Sequence, residues 1–484
     1  MNASLPSSAL HGALGRRRAG LPALILAALL AGLAGGGADA QAQEPEVVAF
    51  IGATIIDGTG GALVRDGTLL VVGSEIAAVG PRAEVSVPAN ARVIEAHGRY
   101  LLPGLVDTNT HTSLYGGGET LALYHDRQAD LVKESAQLHL KHGVTTIRDS
   151  YGALGPLTEI RDAIERGEIV GPRMRVAGNI VGWGGPCSVS YSMVRPESCD
   201  ERDLEFNEAI TQGVSGEEML HMTPDEVREA IHRYLDLGPD HIRYGATTHF
   251  TPAFIYFSLD AQRALVEEVH RRGLSVETHS TTMEGMRLPI LAGVDILQHP
   301  EMLLREVSDD LLDLIREREI ICSIRASVIT GDAWRRHVES GDASPGQGLS
   351  LQRSNAERFI RGGCIPSVGN DNFLGAAPEL RQRPKPDTQE PGIGTWIALE
   401  GLVELGLTPG EAIVAATRNG AMAAGSLDSF GTLEPGKWAD IIMLDEDPLE
   451  DISNIRSLSL VMKEGRIIDH EALPTRPVWY GPPE

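Results

Sequence analysis

Basic residues, long apolar runs and paired-cysteine motifs are scarce in this chain, and each shortage excludes a class of protein. Lys and Arg number 42 against 67 Asp and Glu, which gives a net charge of −25. Such acidity argues against nucleic acid or an anionic lipid surface as a partner. The N-terminal apolar run, residues 21–33, is shorter than the ~20 residues that span a bilayer. None of the four cysteines has the C-x-x-C spacing of a metal or redox site.

The N-terminus has the three parts of a secretory signal. Arg16-Arg17-Arg18 is followed by the apolar run and then by Ala38-Asp39-Ala40, an A-x-A cleavage site. We therefore predict that residues 1–40 are a signal peptide, that the mature protein is periplasmic or secreted, and that it has no membrane span after cleavage. An uncleaved anchor helix is the alternative, and the paired arginines also permit a twin-arginine export route.

The four cysteines leave two interpretations open. In an oxidising compartment, Cys187 and Cys199 are close enough in sequence to close a loop by a disulfide bond. The other interpretation is that all four cysteines, including Cys322 and Cys364, are unpaired buried thiols.

Both ends of the mature chain read as short strands separated by turns. Gly and Asp lie between apolar runs, as in Asp57-Gly-Thr-Gly-Gly near the N-terminus and Glu464-Gly465 near the C-terminus, and such spacing indicates hairpins. We predict that residues 46–100 and 426–475 together form one small, discontinuous β-sandwich domain.

The middle of the chain, residues 101–425, alternates short apolar strands with amphipathic helices. Residues 143–149 read as a strand, for example, and Thr223-Pro-Asp-Glu opens a helix with a capping residue and a proline at its first position. Repeated β-then-α units predict an α/β fold with a parallel sheet, and about eight of them fit a (β/α)₈ TIM barrel. The Gly- and Pro-rich stretches 182–216 and 373–394 are candidates for loops over the active face.

Several motifs in this region are specific. They are Leu102-Pro-Gly-Leu-Val-Asp107, Gly143-Val-Thr-Thr-Ile-Arg-Asp149, Ala292-Gly-Val-Asp-Ile-Leu-Gln-His299 and a long C-terminal stretch that includes Gly431-Thr-Leu-Glu-Pro-Gly-Lys437. On these motifs, which are spread over most of the mature chain, the sequence resembles the amidohydrolase superfamily, in particular its secreted imidazolonepropionase-like and prolidase-like members.

The resemblance implies a metal site at the carboxyl ends of the barrel strands. The family uses His-x-His on strand one, a carbamylated lysine or a glutamate near strand four, one histidine each from strands five and six, and an aspartate from strand eight. Residues i and i+2 of a strand point the same way, which explains the first motif. The matching metal ligands in this chain are His111, His279, His299 and Asp371. As the strand-eight acid, Asp371 would also hold the attacking water, act as general base and protonate the leaving nitrogen.

Two positions depart from the family pattern. Asn109 stands where the first histidine is expected, and Arg243 stands where related sequences carry the lysine. Arginine cannot be carbamylated and stays protonated, so a fixed cation there would repel a second divalent ion. We therefore expect one metal instead of two. The family includes one-metal members, some with polar amides at the strand-one positions, so the loss of one histidine does not end catalysis.

The roles of these two residues stay open. Asn109 would ligate weakly through its amide oxygen, bind substrate or fill space. Arg243 would bind a substrate carboxylate, pair with Asp371, replace the missing charge or form an ordinary structural ion pair.

The other candidate residues also have plain alternatives. Each predicted histidine ligand would otherwise be a hydrogen-bonded core histidine, and Asp371 would otherwise cap a loop. His249 and Glu301, near expected strand ends, would supply a missing ligand or be peripheral. Tyr115 and the three glycines after it follow strand one and are predicted to shape the substrate pocket.

The leading hypothesis is a secreted hydrolase that attacks a carbon–nitrogen bond (amide, lactam or peptide-like) in a small molecule with one divalent metal. Zinc suits the nitrogen-rich ligands best. The catalytic candidates are Asp371 and Arg243, and the substrate-binding candidates are Asn109 and Tyr115. A lyase, decarboxylase or isomerase using Arg243 is the second hypothesis, and a non-catalytic small-molecule binder is the third. The substrate is not predicted, and an oligomer is compatible with the sequence.

Overall fold

Three β-sheets and twelve α-helices make up the part of the chain that this computed structural model describes. The described residues are 45–114, 124–185, 187–191, 199, 201–249, 253–340, 348–374, 388 and 390–476.

The strands are numbered in chain order, and helices connect many of them. Their bounds are β1 Val47–Ile55, β2 Val64–Val72, β3 Glu75–Pro81, β4 Arg92–Glu95, β5 Tyr100–Pro103, β6 Leu105–Leu114, β7 Val144–Asp149, β8 Arg173–Val176, β9 Ile180–Val181, β10 Ile242–Gly245, β11 Val276–His279, β12 Ile296–Gln298, β13 Ile321–Ile324, β14 Ile365–Val368, β15 Asn372–Leu374, β16 Ile441–Leu444, β17 Leu458–Lys463 and β18 Arg466–Ile468.

The helices of the described residues are numbered in the same way. Their bounds are α1 Gln128–Lys141, α2 Leu154–Glu165, α3 Glu201–Thr211, α4 Pro224–Leu235, α5 Leu259–Arg271, α6 Met283–Ala292, α7 Asp309–Glu317, α8 Gly331–Ser340, α9 Leu349–Arg361, α10 Ile393–Glu404, α11 Pro409–Ala416 and α12 Arg418–Ala423.

Two of the sheets are parallel and come from the middle of the chain. One has six strands in the order β14-β13-β12-β11-β10-β9, and the other has four in the order β15-β6-β7-β8. Hydrogen bonds join the two sheets, from Asp240 N to Val176 O at 2.8 Å and from Thr108 Oγ1 to Val368 O at 2.8 Å. Parallel strands with helices in their connections confirm the predicted mixed α/β class.

Local sequence explains why the helices and strands begin where they do. Every residue of β7 is buried, as expected for a strand covered on both faces. Helix α4 begins with the predicted cap: Thr223 accepts from the backbone of Glu226, whose side chain reaches back to the Thr223 backbone, and Pro224 is the first helical residue. The largest group of buried apolar side chains packs between these helices and the parallel strands.

The third sheet joins both ends of the described chain. Its order is β18-β17-β16-β5-β1-β2-β3, with β4 paired to β1, so the three C-terminal strands lie side by side and meet the N-terminal strands at the pair β16–β5. Strand β5 pairs with β16 in antiparallel register, Leu101 opposite Met443. The predicted pairing of the two chain ends is thus present as a sheet, while the sandwich and its domain boundaries stay predictions.

Both pairs of cysteines are joined by disulfide bonds. Cys187 is bonded to Cys199 with their Cα atoms 6.3 Å apart, which is the first of the two sequence-based alternatives. Cys322 is bonded to Cys364 with a Cα separation of 6.1 Å, a pairing that was not predicted. The alternative of four unpaired thiols is therefore wrong.

The predicted signal peptide lies outside the described residues, so cleavage and export stay predictions. Within the described part of the chain, no helix is both long and apolar enough to cross a membrane.

Candidate active site

The predicted functional residues meet where the parallel strands end. His279 is the last residue of β11, His299 directly follows β12, and Asp371 follows β14. His111 lies near the end of β6, and Arg243 lies within β10. Because parallel strands have their carboxyl ends at one edge, these side chains converge there, as the sequence predicted.

Asp371 is held by its backbone and by both oxygens of its side chain. Its φ of 55° lies in the left-handed region, and its N–H donates to the Asn109 carbonyl at 2.8 Å. Oδ1 lies 3.0 Å from His111 Nε2 and accepts from Asn109 Nδ2 at 3.2 Å. Oδ2 accepts from Arg325 Nη1 at 3.3 Å. The carboxylate therefore has partners on both sides.

The electrostatic surroundings keep this carboxylate charged. Burial alone raises the pKa of the Asp371 carboxyl, but the hydrogen bond with His111 and the positive charge of Arg325 lower it well below its usual range. Asp371 is consequently ionised throughout the neutral pH range.

Three imidazoles form a row beside the carboxylate. His249 Nδ1 lies 3.4 Å from His279 Nε2, and His279 Nδ1 lies 3.4 Å from His299 Nε2. Burial is the main reason that the pKa values of His279 and His299 fall well below the usual histidine range, and the guanidinium of Arg243 lowers them further. Burial also lowers the pKa of His249 to about 3. All three rings are therefore neutral near pH 7 and retain lone pairs.

Arg243 is the buried cation at the centre of this group, with 2% of its surface exposed. Its Nη2 donates to His299 Nε2 at 2.9 Å, and its Nη1 donates to Asn109 Oδ1 and to the Ser150 carbonyl, each at 3.4 Å. Asn109 thus uses its amide oxygen toward Arg243 and its amide nitrogen toward Asp371.

An aromatic wall covers one side of the histidine row. The wall consists of Trp183, Tyr191 and Tyr151. Trp183 stacks on Tyr191 with centroids 4.9 Å apart and meets the ring of His279 edge-on at 5.1 Å. Its indole N–H donates to the Thr247 carbonyl at 3.1 Å. Tyr191 lies in the sequence between Cys187 and Cys199, which are joined by the disulfide bond.

The remaining predicted residues fall in three places. His249 lies in the histidine row, beside the site. Glu301 is fully buried, with its Oε1 3.7 Å from Arg325 Nε. Tyr115 and the glycines after it lie outside the described residues.

Sequence reasoning missed Arg325 and the aromatic wall. Arg325 directly follows the apolar strand β13, as His299 follows β12, and a charged residue at that position was the available signal. Trp183 and Tyr191 fall within the predicted active-face loop of residues 182–216, but nothing in the sequence indicated which side chains face inward.

Whether the predicted ligands suit a divalent cation depends on the chemistry of their donor atoms and on the distances between them. Neutral imidazoles and an ionised carboxylate are donors that Zn²⁺ accepts. The donors stand in pairs, His111 with Asp371 and His279 with His299, and Arg243 contacts the Nε2 atom of His299. Within the described residues, no group of three or more His, Cys, Asp or Glu is placed to hold a metal ion. The donor chemistry thus fits one cation, while the described residues do not enclose one in this arrangement.

Known proteins share this architecture along nearly the whole chain. A solved structure of molinate hydrolase is 31% identical, covers 91% of this chain and 98% of its own, and has a TM-score of 0.82. The chain belongs to the amidohydrolase superfamily. The profile of the Amidohydrolase family matches residues 394–468.

Two further relatives agree with this assignment. The structure of phenylurea hydrolase B is 29% identical, covers 90% of this chain and 100% of its own, and has a TM-score of 0.82. Ochratoxinase from Aspergillus niger is 26% identical over 474 residues, covering 91% of this chain and 87% of its own. The chain is accordingly an amidohydrolase-type enzyme, a hydrolase of carbon–nitrogen bonds, which confirms the predicted family and enzyme class.

Proposed function

We propose that this amidohydrolase cleaves amide, lactam or peptide-like bonds in small molecules with the help of one divalent cation. The observation that supports the proposal most is the convergence of Asp371, His111, His279 and His299 at one edge of the parallel sheets. Membership of the amidohydrolase superfamily favours hydrolysis over the lyase and binder alternatives.

The architectural part of the proposal is a closed (β/α)₈ barrel spanning residues 101–425. Its support is the pair of hydrogen-bonded junctions between the two parallel sheets, one at Val176 and one at Thr108. The sheet made by both chain ends would then be the companion domain, built from residues 46–100 and 426–475.

His111, His279, His299 and Asp371 would hold the cation, and zinc is the metal we propose because imidazole nitrogen and carboxylate oxygen suit it. When bound, such a cation lowers the pKa of water toward ~7 and polarises a carbonyl. The positive charge of Arg243, only 2.9 Å from His299 Nε2, argues against a second cation at the same site.

Asp371 is the group we propose for proton transfer. It takes the proton from water as the water oxygen bonds to the carbonyl carbon, and it returns that proton to the nitrogen as the C–N bond breaks. The contacts of both its oxygens, Oδ1 with His111 and Asn109 and Oδ2 with Arg325, support this assignment because they hold the carboxylate in one orientation.

Arg243 and Asn109 are proposed to orient the reacting groups. The Arg243 guanidinium supplies the fixed positive charge that a second cation would otherwise provide. Asn109 bridges Arg243 and Asp371, at 3.4 Å and 3.2 Å, so a substrate that contacts Asn109 also lies within reach of both.

The substrate we propose carries a planar apolar group beside the scissile bond. The support is the aromatic character of this side of the site, where Trp183 and Tyr191, each 1% exposed, stack on each other next to His279, because aromatic rings pack favourably with other flat groups. Tyr115 is also proposed as a substrate contact, on sequence grounds alone.

The mature protein is proposed to work in the periplasm or outside the cell. The pairing of all four cysteines supports an oxidising compartment, since such bonds are rare in reducing ones.

The test uses the chain from Gln41 onward, purified without chelators. Metal content is measured by mass spectrometry, and hydrolysis is measured on para-nitroacetanilide, phenylurea and proline dipeptides in ¹⁸O-labelled water. We expect about one metal per chain and one ¹⁸O in the carbonyl product, with kcat reduced roughly 10²- to 10⁴-fold in Asp371→Asn. Turnover without ¹⁸O would favour a lyase or isomerase. A protein with neither stoichiometric metal nor turnover would contradict the proposal.

A further inference from the structure

Arg325 contributes a second cation to the active site, outside the predicted ligand set. It directly follows β13, and its Nη1 donates to Asp371 Oδ2 at 3.3 Å. The other carboxylate oxygen, Oδ1, is contacted by His111 and Asn109. Arg325 therefore contacts Oδ2 of Asp371, while His111 and Asn109 contact Oδ1.

The side chain of Arg325 has neighbours from two other parts of the fold. Its Nη2 donates to Oε1 of Gln352 on α9 at 3.1 Å. Its Nε lies 3.7 Å from Oε1 of Glu301, which follows β12 and is fully buried. The hydrogen bond to Gln352 restricts the planar guanidinium, so less freedom is lost when it binds a carboxylate, and it can fix the orientation of that carboxylate.

The geometry of Asp371 explains why the contact from Arg325 matters. The left-handed backbone and its hydrogen bond to Asn109 fix the position of the Cα atom. They do not fix rotation of the carboxylate plane about the Cβ–Cγ bond, which has a broad energy minimum. Contacts to both oxygens restrict that rotation, and Arg325 supplies the contact to Oδ2.

We propose that Arg325 is a positioning residue that holds the Asp371 carboxylate in the plane needed for proton transfer, and that Gln352 holds the Arg325 guanidinium in place. The inference rests on the proposed role of Asp371. The competing explanation is that Arg325 only neutralises the buried Glu301, in which case catalysis would not depend on its contact with Asp371.

Three variants separate these explanations: Arg325→Gln, Glu301→Gln and the double variant. The double variant removes the guanidinium and the neighbouring buried carboxyl group together, so it is expected to fold with a circular dichroism spectrum like that of the wild type. The probe is whichever of para-nitroacetanilide, phenylurea or proline dipeptides the wild type hydrolyses.

If Arg325 positions Asp371, kcat falls about 10²-fold in Arg325→Gln, as expected for a misplaced catalytic group, with KM nearly unchanged. The double variant stays equally impaired, and Arg325→Lys recovers part of kcat. Arg353→Gln is the matched control, because Arg353 has the same 17% side-chain exposure but pairs with Glu404. Its kcat is expected to equal that of the wild type. Full recovery of kcat in the double variant would overturn the proposal.

A crystallographic comparison tests the same point without activity. In the double variant, the Asp371 carboxylate is expected to rotate or to occupy two orientations, and an unchanged single orientation would contradict the proposal. The crystallographic measurement tests the role of Arg325 separately from the proposed function. If the wild-type protein hydrolyses none of the probes, the proposed function is refuted. The orientation of the Asp371 carboxylate still decides whether Arg325 positions it.

Discussion

At the scale of single residues, the two departures from the family pattern are coupled to each other. Asn109 accepts a hydrogen bond from Arg243 and donates one to Asp371. An amide has both a donor and an acceptor, so it suits a position between a guanidinium and a carboxylate. Arg243 in turn replaces a residue that would be negative once carbamylated. Changing either residue alone would therefore disturb the contacts of the other.

Reversing both departures together is expected to change the number of metals. In Asn109→His/Arg243→Lys, a neutral imidazole and a lysine that can be carbamylated replace the amide and the fixed cation. We expect the metal content, measured by mass spectrometry after incubation with zinc and bicarbonate, to rise from about one toward about two per chain. The single variants are the controls and should bind no second metal. Equal metal content in the wild type and the double variant would refute the explanation that Arg243 excludes the second ion.

Family motifs allowed the prediction of which side chains lie together, whereas contacts that depend only on spatial proximity were missed. His111, His279, His299 and Asp371 converge at one edge of the parallel sheets, and their roles stay predictions. Arg325 was missed because its partner, Asp371, is 46 positions away in sequence. The two residues meet only because β13 and β14 are neighbours in one sheet, and strand register is not visible in the sequence.

At the scale of single elements, the end of β10 is shaped to admit an aromatic ring. Gly245 is the last residue of β10, and a Cβ atom there would lie 2.0 Å from the indole nitrogen of Trp183. The absence of a side chain lets the ring reach Thr247 and His279. Glycine is needed here for close packing, since the φ of Gly245 is not in the left-handed region.

Gly245→Ala is expected to push Trp183 away from the histidine row. Loss of the indole hydrogen bond and of the ring contacts should lower kcat/KM on aromatic amides at least about tenfold, an effect of roughly 1.4 kcal/mol on the transition state. Gly155→Ala in α2 is the matched control, because a Cβ there meets nothing within 4 Å. That control should keep full activity. Unchanged kcat/KM in Gly245→Ala would mean that the wall does not contact the substrate.

The elements themselves were largely predictable. Strand β7 lies within one residue of its predicted bounds, and helix α4 begins with its predicted cap, because each has a local signal in apolar character or capping. The Cys322–Cys364 bond was not predictable, since it depends on where β13 and β14 place their ends.

At the scale of the whole molecule, one buried arginine connects the parallel sheets to the sheet made by the chain ends. Arg173 of β8 donates to Asp440 at 2.9 Å and to Glu464 at 2.6 Å. Its guanidinium also lies over the rings of Phe430 and Trp438, 4.5 Å and 4.3 Å from their centroids. These contacts remove the Arg173 guanidinium from water and pair its charge with two carboxylates and two aromatic rings.

Arg173→Met should therefore be strongly destabilising. Removing one partner of a buried ion pair leaves Asp440 without its counter-charge, and we expect the free energy of unfolding in urea to fall by about 3–5 kcal/mol. The control is Arg92→Met, whose ion pair with Glu46 is more than half exposed. Its unfolding free energy should not change measurably. Equal effects of the two substitutions would show that Arg173 does not connect the sheets energetically.

The pH dependence of stability should also reflect buried carboxyl groups. Burial raises the pKa of Asp107 to about 7 and that of Asp149 to about 6. Both values lie above the usual ~3.9 of an unfolded chain, so the folded state binds these protons more tightly. The resulting stabilisation is present below about pH 4 and is lost as the pH rises toward about 7.

Asp107→Asn provides the test of this effect. We expect the wild type to lose more unfolding free energy than the variant between about pH 5 and about pH 8, because the amide does not ionise. The new amide can still accept from the backbone of Asn370 through its oxygen. Asp66→Asn, at an exposed site, is the control and should follow the wild type. Parallel curves for the wild type and Asp107→Asn would contradict the assigned pKa.

The sheet that joins strands from both ends of the described chain imposes an order on biosynthesis. Strand β5 receives β16 as its neighbour only after nearly the entire polypeptide has left the ribosome. Until then the nascent chain carries an unpaired strand edge, which is a template for self-association. Premature termination before Ile441 would make that exposure permanent, so complete translation is itself a condition for solubility.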